Sequence, residues 1–277
     1  MSAMRALLFI FCAAVLSAAG LNDDLLLHAS FDNTIDADHA AGDRRLHTAE
    51  SYKDLSAAKP GLHHPDVVIA KGAGKFGDAL QFVRKNTRAV YYPGEKNIAF
   101  SPTNWSGTIS FWLNLDPETD LEPGYCDPIQ VTDSAYNDSA IWVDFTRDDK
   151  PRHFRLGIFG DLNSWNPKNI PTDKNPDFLK RLVVVRKTPF AKGRWTHVVI
   201  THRGLGSGKG TATLYLNGER QGETETIPEN FSWHLPYATI RLGVNYAGLF
   251  DELSIFRRPL SAQEVRALYE SKSNPMR

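Results

Sequence analysis

The sequence predicts an all-β fold, an antiparallel two-sheet sandwich of the jelly-roll kind, with one short helix near its C-terminal end. Many short β-rich segments alternate apolar and polar residues, as a sheet with one face on a core requires. Turn chemistry separates them, and a single stretch carries a full set of helix-start signals. That combination belongs to sandwiches and jelly rolls.

The segments follow in order. Residues 25–31 run Leu-Leu-Leu-His-Ala-Ser-Phe, and short apolar-rich pieces follow at 79–82 and 89–92. Residues 108–115 alternate clearly, with Ile109, Phe111, Leu113 and Leu115 on one face. Further short β-rich segments stand at 140–146, 154–159, 182–186 and 195–201. The series closes with 212–216, 239–244 and 250–256. Asn217-Gly218 after Leu216 predicts a hairpin turn, because both residues tolerate positive φ. The helix is expected over 261–271. Ser261 and Glu264 form a capping box, Leu260 and Val265 a hydrophobic staple, and Val265, Leu268 and Tyr269 line one face. No linker or repeat divides residues 21–277, which are read as one domain.

The first twenty residues read as an export signal. Arg5 precedes an uninterrupted apolar run over 6–16, and small residues follow from Ser17 to Gly20. The run is too short to span a bilayer and suits a signal-peptide core, with cleavage expected after Ala19 or Gly20. The mature chain is therefore expected to be secreted or periplasmic, with no membrane span. Removing Cys12 with the signal leaves Cys126 alone, which excludes an intramolecular disulfide. Sequons stand at Asn104, Asn137 and Asn230 and matter only in a eukaryotic secretory route. Composition excludes other classes. With 32 basic and 32 acidic residues, the chain lacks the basic surface of a nucleic-acid binder. Two cysteines cannot build a disulfide scaffold or a four-thiolate zinc site.

Several stretches, in order, resemble the LamG-like jelly-roll domains of the concanavalin A-like lectin/glucanase superfamily. Leu27 to Asn33 is similar to that family's opening L-x-x-x-F-D strand, and Gly74 to Phe82 to its G-x-x-G-x-A-L-x-F hairpin. Thr108-Ile109-Ser110-Phe111-Trp112, Arg194 to Val199, Leu214 to Glu219 and Phe250 to Ser261 resemble its later strands. The resemblance spans nearly all of the mature chain and implies two packed sheets with the first and last strands adjacent. It implies less about activity, since one fold hosts lectins, hydrolases and adhesion modules.

Adjacent first and last strands would bring Asp32 and Asp251 together. Similar domains often carry a structural calcium at such a place, so Asp32 and Asp251 are candidate ligands for Ca²⁺. The other reading makes Asp32 a turn residue and Asp251 the partner of an arginine such as Arg257. Glu118-x-Asp120-x-Glu122 resembles the catalytic strand of laminarinase- and lichenase-type glycoside hydrolases, where paired carboxylates act as nucleophile and acid/base. Pro117 and Pro123-Gly124 bracket the motif and favour a solvated acidic loop.

The remaining motifs are structural or bind ligand. His197 is expected as a hydrogen-bonded core histidine, and the glycine-rich stretch 204–210 as a hairpin loop. The long loop over 160–178 places Trp165 among Asp161, Asn163 and Asn166, which suits stacking on a sugar ring with polar groups at its hydroxyls. Tyr125, Tyr136 and Trp233 are further stacking candidates, while Trp105, Trp112, Trp142 and Trp195 are expected in the core. The expectation is an exported, non-catalytic binding module for a carbohydrate or glycoconjugate surface, with Trp165, Asp161, Asn163 and Tyr125 at the ligand. The alternatives are a glycoside hydrolase using Glu118 and Glu122 with Asp120, and a protein-protein adhesion domain.

Overall fold

The computed structural model describes residues 18–276. The expected signal core, with Arg5, Cys12 and Ser17, lies outside the described residues. Helix α1 (Ala18–Asn22) leads into strand β1 (Leu25–Ala29). Short strands β2 (His39–Ala40), β3 (His47–Ala49), β4 (Lys59–Pro60) and β5 (Val67–Ala70) follow. Then come β6 (Ala79–Phe82), β7 (Ala89–Pro93), β8 (Trp105–Asn114) and β9 (Cys126–Thr132). Strands β10 (Ala140–Phe145) and β11 (Phe154–Phe159) precede two short helices, α2 (Leu162–Trp165) and α3 (Pro176–Lys180). The rest is β12 (Leu182–Val185), β13 (Thr196–Leu205), β14 (Thr211–Leu216) and β15 (Glu219–Glu223). Strands β16 (Thr239–Val244) and β17 (Gly248–Phe256) and helix α4 (Ala262–Glu270) complete the chain.

The strands form two sheets. The first runs β15-β14-β13-β8-β17-β1-β2, with β6 also on β17 and β5 on β6; the second runs β12-β11-β10-β9-β16-β7-β3-β4. Every pairing is antiparallel, and the first strand lies beside the last, His28 opposite Ser254. Strand alternation builds the core between the sheets: Ile109, Phe111 and Leu113 of β8 meet Ile141 and Val143 of β10 and Leu156 and Ile158 of β11. Phe111 stacks on Phe250, the rings 5.0 Å apart. The fold class expected from sequence is the one observed.

Local chemistry explains the ends of the elements. Asn217 (φ 51°) and Gly218 (φ 79°) make the left-handed turn joining β14 to β15. Ser261 caps α4, its hydroxyl taking the Glu264 amide while Glu264 reaches back to the Ser261 amide. Val265 and Leu268 then bury α4 on the outer face of the first sheet, beside Val199, Tyr215 and Phe256. Among the described residues, no helix is long and apolar enough to cross a membrane.

Strand β9 escapes the alternation rule. Its Asp127-Pro128 pair breaks the apolar run, and proline is poorly placed inside a sheet. The register shows how it is accommodated: Val143 faces Ile129 and Phe145 faces Cys126, so Asp127 and Pro128 together stand opposite the single residue Asp144. This bulge absorbs the missing proline N–H and sets two aspartates on neighbouring strands side by side.

Candidate functional site

The outer face of the second sheet holds the main concavity of the described residues, a groove of about 720 Å³. Its floor comes from β9, β10 and β11, through Asp127, Gln130, Trp142, Asp144 and Arg155. One wall is the stretch after α2, with Thr172, Lys174, Asn175, Phe178 and Leu179; Tyr125, Tyr136, Val244 and Asn245 close the other sides.

Polar residues reach this floor because alternate positions of each strand face away from the core. On β10, Ile141, Val143 and Phe145 point inward, so Trp142 and Asp144 point out. On β11 the same rule turns out Arg155, which directly faces Asp144 across the sheet. Arg155 grips both carboxylate oxygens, Nε to Oδ1 at 2.8 Å, a bidentate pair of matched planar groups. Burial raises the Asp144 carboxyl above its ordinary range, and the Arg155 hydrogen bond and charge oppose that rise. Asp127 has no such partner. Its Oδ2 accepts from Gln130 Nε2 at 3.1 Å, and Gln130 Oε1 in turn accepts from Arg241 at 2.9 Å. Burial, with the charge of Asp144 adding, pushes Asp127 well above the usual carboxylate range against the pull of Arg155 and Gln130. That shift favours the uncharged carboxyl over the carboxylate.

Aromatic residues frame this network. Tyr125 is 45% exposed and Tyr136 43%. The Arg155 guanidinium lies 4.9 Å from the Tyr125 ring centroid and 5.6 Å from that of Trp142. Leu179, 67% exposed, adds an apolar lip. The groove thus offers rings for stacking and a floor of paired hydrogen-bonding groups, the composition of a small-molecule site.

Of the residues expected at a ligand, Tyr125 lines the groove and Trp165 does not. Trp165 is 5% exposed, packed with Phe159 and Phe178, and its Nε1 donates to the Asn137 carbonyl at 2.9 Å. Its face is spent on pinning the loop: a large apolar ring gains more from a hydrophobic recess on the sheet than from water. Asp161 caps α2, accepting from the amide and hydroxyl of Ser164 and from Ser232, so its oxygens are committed to the loop. Asn163 is exposed on α2 and is not among the groove residues. The long loop does wall a concavity, but through residues beyond Trp165.

The three acidic residues of the expected hydrolase motif lie on a turn before β9 and not on a strand. Glu118 accepts from the Arg152 amide at 2.6 Å, Asp120 from the Asp116 amide at 2.9 Å, and Glu122 from the Lys85 amide at 3.3 Å. Proline at 117 and 123 bends the segment, so the period-two alignment of a strand never arises. Each carboxylate serves a different backbone, and none lines the groove.

Asp32 and Asp251 do converge. The loop over 74–78 wraps both: Asp32 Oδ1 accepts from the Asp78 amide at 2.5 Å, and Asp251 Oδ2 from the Lys75 amide at 2.7 Å. A Cβ at Gly77 would stand 2.1 Å from Asp32 Oδ1, and one at Gly74 would stand 2.9 Å from Asp251 Oδ2, so only glycine permits the loop to close so tightly. Burial pushes the Asp251 carboxyl up to about 8 despite the amides of Lys75, Glu252 and Phe76. It accepts from the Lys75 and Glu252 amides and not from Arg257. The groups that the structure sets on these two carboxylates are backbone amides, and among the described residues no group of three or more His, Cys, Asp or Glu could hold a metal.

His197 is 1% exposed, bonded to Ser110 at 2.9 Å and stacked on Trp112 beneath α4. It therefore lies between sheet and helix, on the face opposite the groove. Cys126 is a buried thiol that burial raises to about 11, an inert packing residue.

Asp127, Asp144 and Arg155 were missed by sequence reading. One signal could have found them: a charged residue inside an apolar strand, as in Ile-Trp-Val-Asp-Phe and Phe-Arg-Leu-Gly-Ile-Phe, must find a partner on a neighbouring strand.

A family model described as the concanavalin A-like lectin/glucanases superfamily matches residues 86–266. No curated protein matches the chain in sequence. Among solved structures, it resembles domain 4 of AbnA, a GH43 extracellular arabinanase from Geobacillus stearothermophilus, in complex with arabinotriose. Identity is 19% over 89% of this chain and 98% of that one, with a TM-score of 0.55. It also resembles the botulinum neurotoxin serotype D ligand-binding domain in complex with N-acetylneuraminic acid, at 12% identity and TM-score 0.58, over 92% of this chain. The binding domain of botulinum neurotoxin DC in complex with rat synaptotagmin II matches at 12% identity and TM-score 0.59, over 90% of this chain. The match covers 52% of each neurotoxin chain, so it spans about half of their length. These likenesses are of fold.

Proposed function

We propose, from the premise that this chain belongs to the concanavalin A-like lectin/glucanase superfamily, that it is an exported, non-catalytic carbohydrate-binding module whose ligand lies in the groove over β9, β10 and β11. The observation that carries this reading is the combination of exposed Tyr125 and Tyr136 with the polar groups Asp127 and Asn245 in one concavity. Sugar rings present an apolar face and a rim of hydroxyls; tyrosine rings take the first, and carboxyl and amide groups take the second. The neighbours solved with arabinotriose and with N-acetylneuraminic acid support a sugar ligand.

The groove also argues against hydrolysis. Glycoside hydrolysis needs two available carboxyl groups at a set separation. Here Asp144 has both oxygens on Arg155, which leaves Asp127 alone. Binding is what one available carboxyl and two exposed rings can do.

In the export reading, the described core begins just past the expected cleavage, with Gly20 exposed and Leu21 buried in the α4 cluster. A structural calcium would take Asp32 and Asp251 as its carboxylate ligands and would supply charge compensation between the first and last strands. The deciding experiment for the function is a glycan-binding screen of the mature protein against Tyr125→Ala. We expect binding that the variant loses; a folded protein that binds no glycan would refute the reading.

A further inference from the structure

We propose that the groove takes acidic sugars, and that the ligand's carboxylate seats on the open edge of the Arg155 guanidinium, with Lys174 on the wall adding a second positive charge. This rests on the carbohydrate reading above and names the class of sugar that the same site takes.

The free edge of Arg155 carries the argument. A guanidinium presents donors along more than one edge, and each such edge can grip a carboxylate. Nε and Nη2 of Arg155 occupy one edge on Asp144. Nη1 donates to none of the described residues, and Arg155 lines the groove with 13% of its side chain exposed. Arg241, on β16, differs: its Nε and both terminal nitrogens donate to Thr239, Gln130 and the Ser134 carbonyl. Arg155 is also held in place. Asp144 grips it from the facing strand, and the rings of Tyr125 and Trp142 lie 4.9 and 5.6 Å from it. A cation fixed before the ligand arrives loses little freedom on binding, so its hydrogen bonds to an anion go mostly into affinity.

The other charged residues lining the groove are Asp127, Asp144 and Lys174. Asp144 is balanced by the same Arg155 that would hold the ligand. Burial, with the charge of Asp144 adding, favours the uncharged carboxyl of Asp127, which then sets no full negative charge against an incoming anion. Lys174 is exposed on the wall, so the charge left over in the groove is positive and draws an acid inward. Tyr125 is 45% exposed and lies against the Arg155 guanidinium. A sugar ring stacked on this tyrosine brings its substituents beside the open edge.

The test is calorimetric titration of the mature protein at neutral pH with probes that change the charge and keep the sugar rings. Trigalacturonate is set against its methyl ester, and 3′-sialyllactose against its methyl ester. At least one acid is expected to bind about tenfold or more tightly than its ester, a gap of about 1.4 kcal/mol. Arg155→Lys keeps a positive charge beside Asp144 but offers no planar edge. In this variant, with folding checked by urea denaturation, the gap should fall to about twofold. Lys174→Ala should lower the gap by about twofold and keep the rest. Esters that bind the parent as tightly as their acids overturn the inference, whatever the variants do. A gap that survives in folded Arg155→Lys, or one that Lys174→Ala abolishes, takes the carboxylate off Arg155 and overturns it as well. A protein that binds neutral glycans in the screen and neither acid overturns it while leaving carbohydrate binding in place. A folded protein that binds no glycan overturns both.

Discussion

Arg155 and Asp144 occupy directly paired positions on two neighbouring strands and meet in a bidentate ion pair on the outer face of the sheet, Nε to Oδ1 at 2.8 Å. Both side chains are largely buried, with 13% and 5% of their surface exposed. Such a pair contributes little over a matched apolar pair but becomes costly when halved.

Arg155→Leu and Asp144→Leu are each expected to destabilise the fold by about 3–5 kcal/mol, since each leaves its partner charged and uncompensated. The double variant should recover most of that loss. Urea denaturation of the four proteins measures the coupling, and additive losses would show that the pair does not act as a unit.

Trp165 and Tyr125 should separate stability from binding. Trp165→Ala removes a buried ring and is expected to cost about 3–5 kcal/mol. Trp165→Phe, which keeps the packing, should bind glycan within about threefold of the parent. Tyr125→Ala leaves stability within about 1 kcal/mol and removes binding. A Trp165→Phe variant that folds normally yet fails to bind would restore Trp165 to the ligand.

Burial pushes His197 down to about 3, with the charge of Lys75 adding. The folded state therefore keeps this imidazole neutral while the unfolded chain takes up a proton near 6.5. Its neutral form favours the folded state fully above that value, and the advantage is lost as pH falls toward 3. His197→Gln can keep a bond to Ser110 but does not titrate. Its destabilisation relative to the parent should be greatest at pH near 8 and shrink by about 1.4 kcal/mol per pH unit below about 6.5. A pH-independent difference would mean that His197 is not held neutral. The raised carboxyl of Asp127 acts in the opposite sense, which is why the variant and its parent must be compared at each pH.

Calcium is expected to raise the melting temperature of the parent and leave Asp251→Asn unmoved. A ligand at a hundredfold excess over its Kd stabilises by about 2.7 kcal/mol, a shift that a thermal melt with and without chelator resolves. Equal melting temperatures in both conditions would remove the metal and leave Asp32 and Asp251 as holders of the 74–78 loop.

What was legible in the sequence followed from local rules. The capping box at Ser261 and Glu264 needs only neighbouring residues, and it formed as expected. The Asn217-Gly218 turn and the alternation of β8 likewise follow from dihedral and period-two constraints. The groove follows from long-range register. Asp127 and Asp144 are 17 positions apart and meet only because the bulge sets Asp127 and Pro128 opposite Asp144. Trp165 shows the other limit: a tryptophan in a polar loop can point outward to a ligand or inward to a recess. The recess formed by Phe159 and Phe178 exists only after the sheet is assembled.

The position of α4 has a practical consequence. The helix packs on the first sheet and β1 belongs to it, whereas the groove opens from the second, so both ends of the described chain emerge on the side away from it. A biosensor tether or fluorescent partner joined after α4 would hold the molecule with its groove facing the analyte, and a surface displaying many copies would present all of them in a usable orientation.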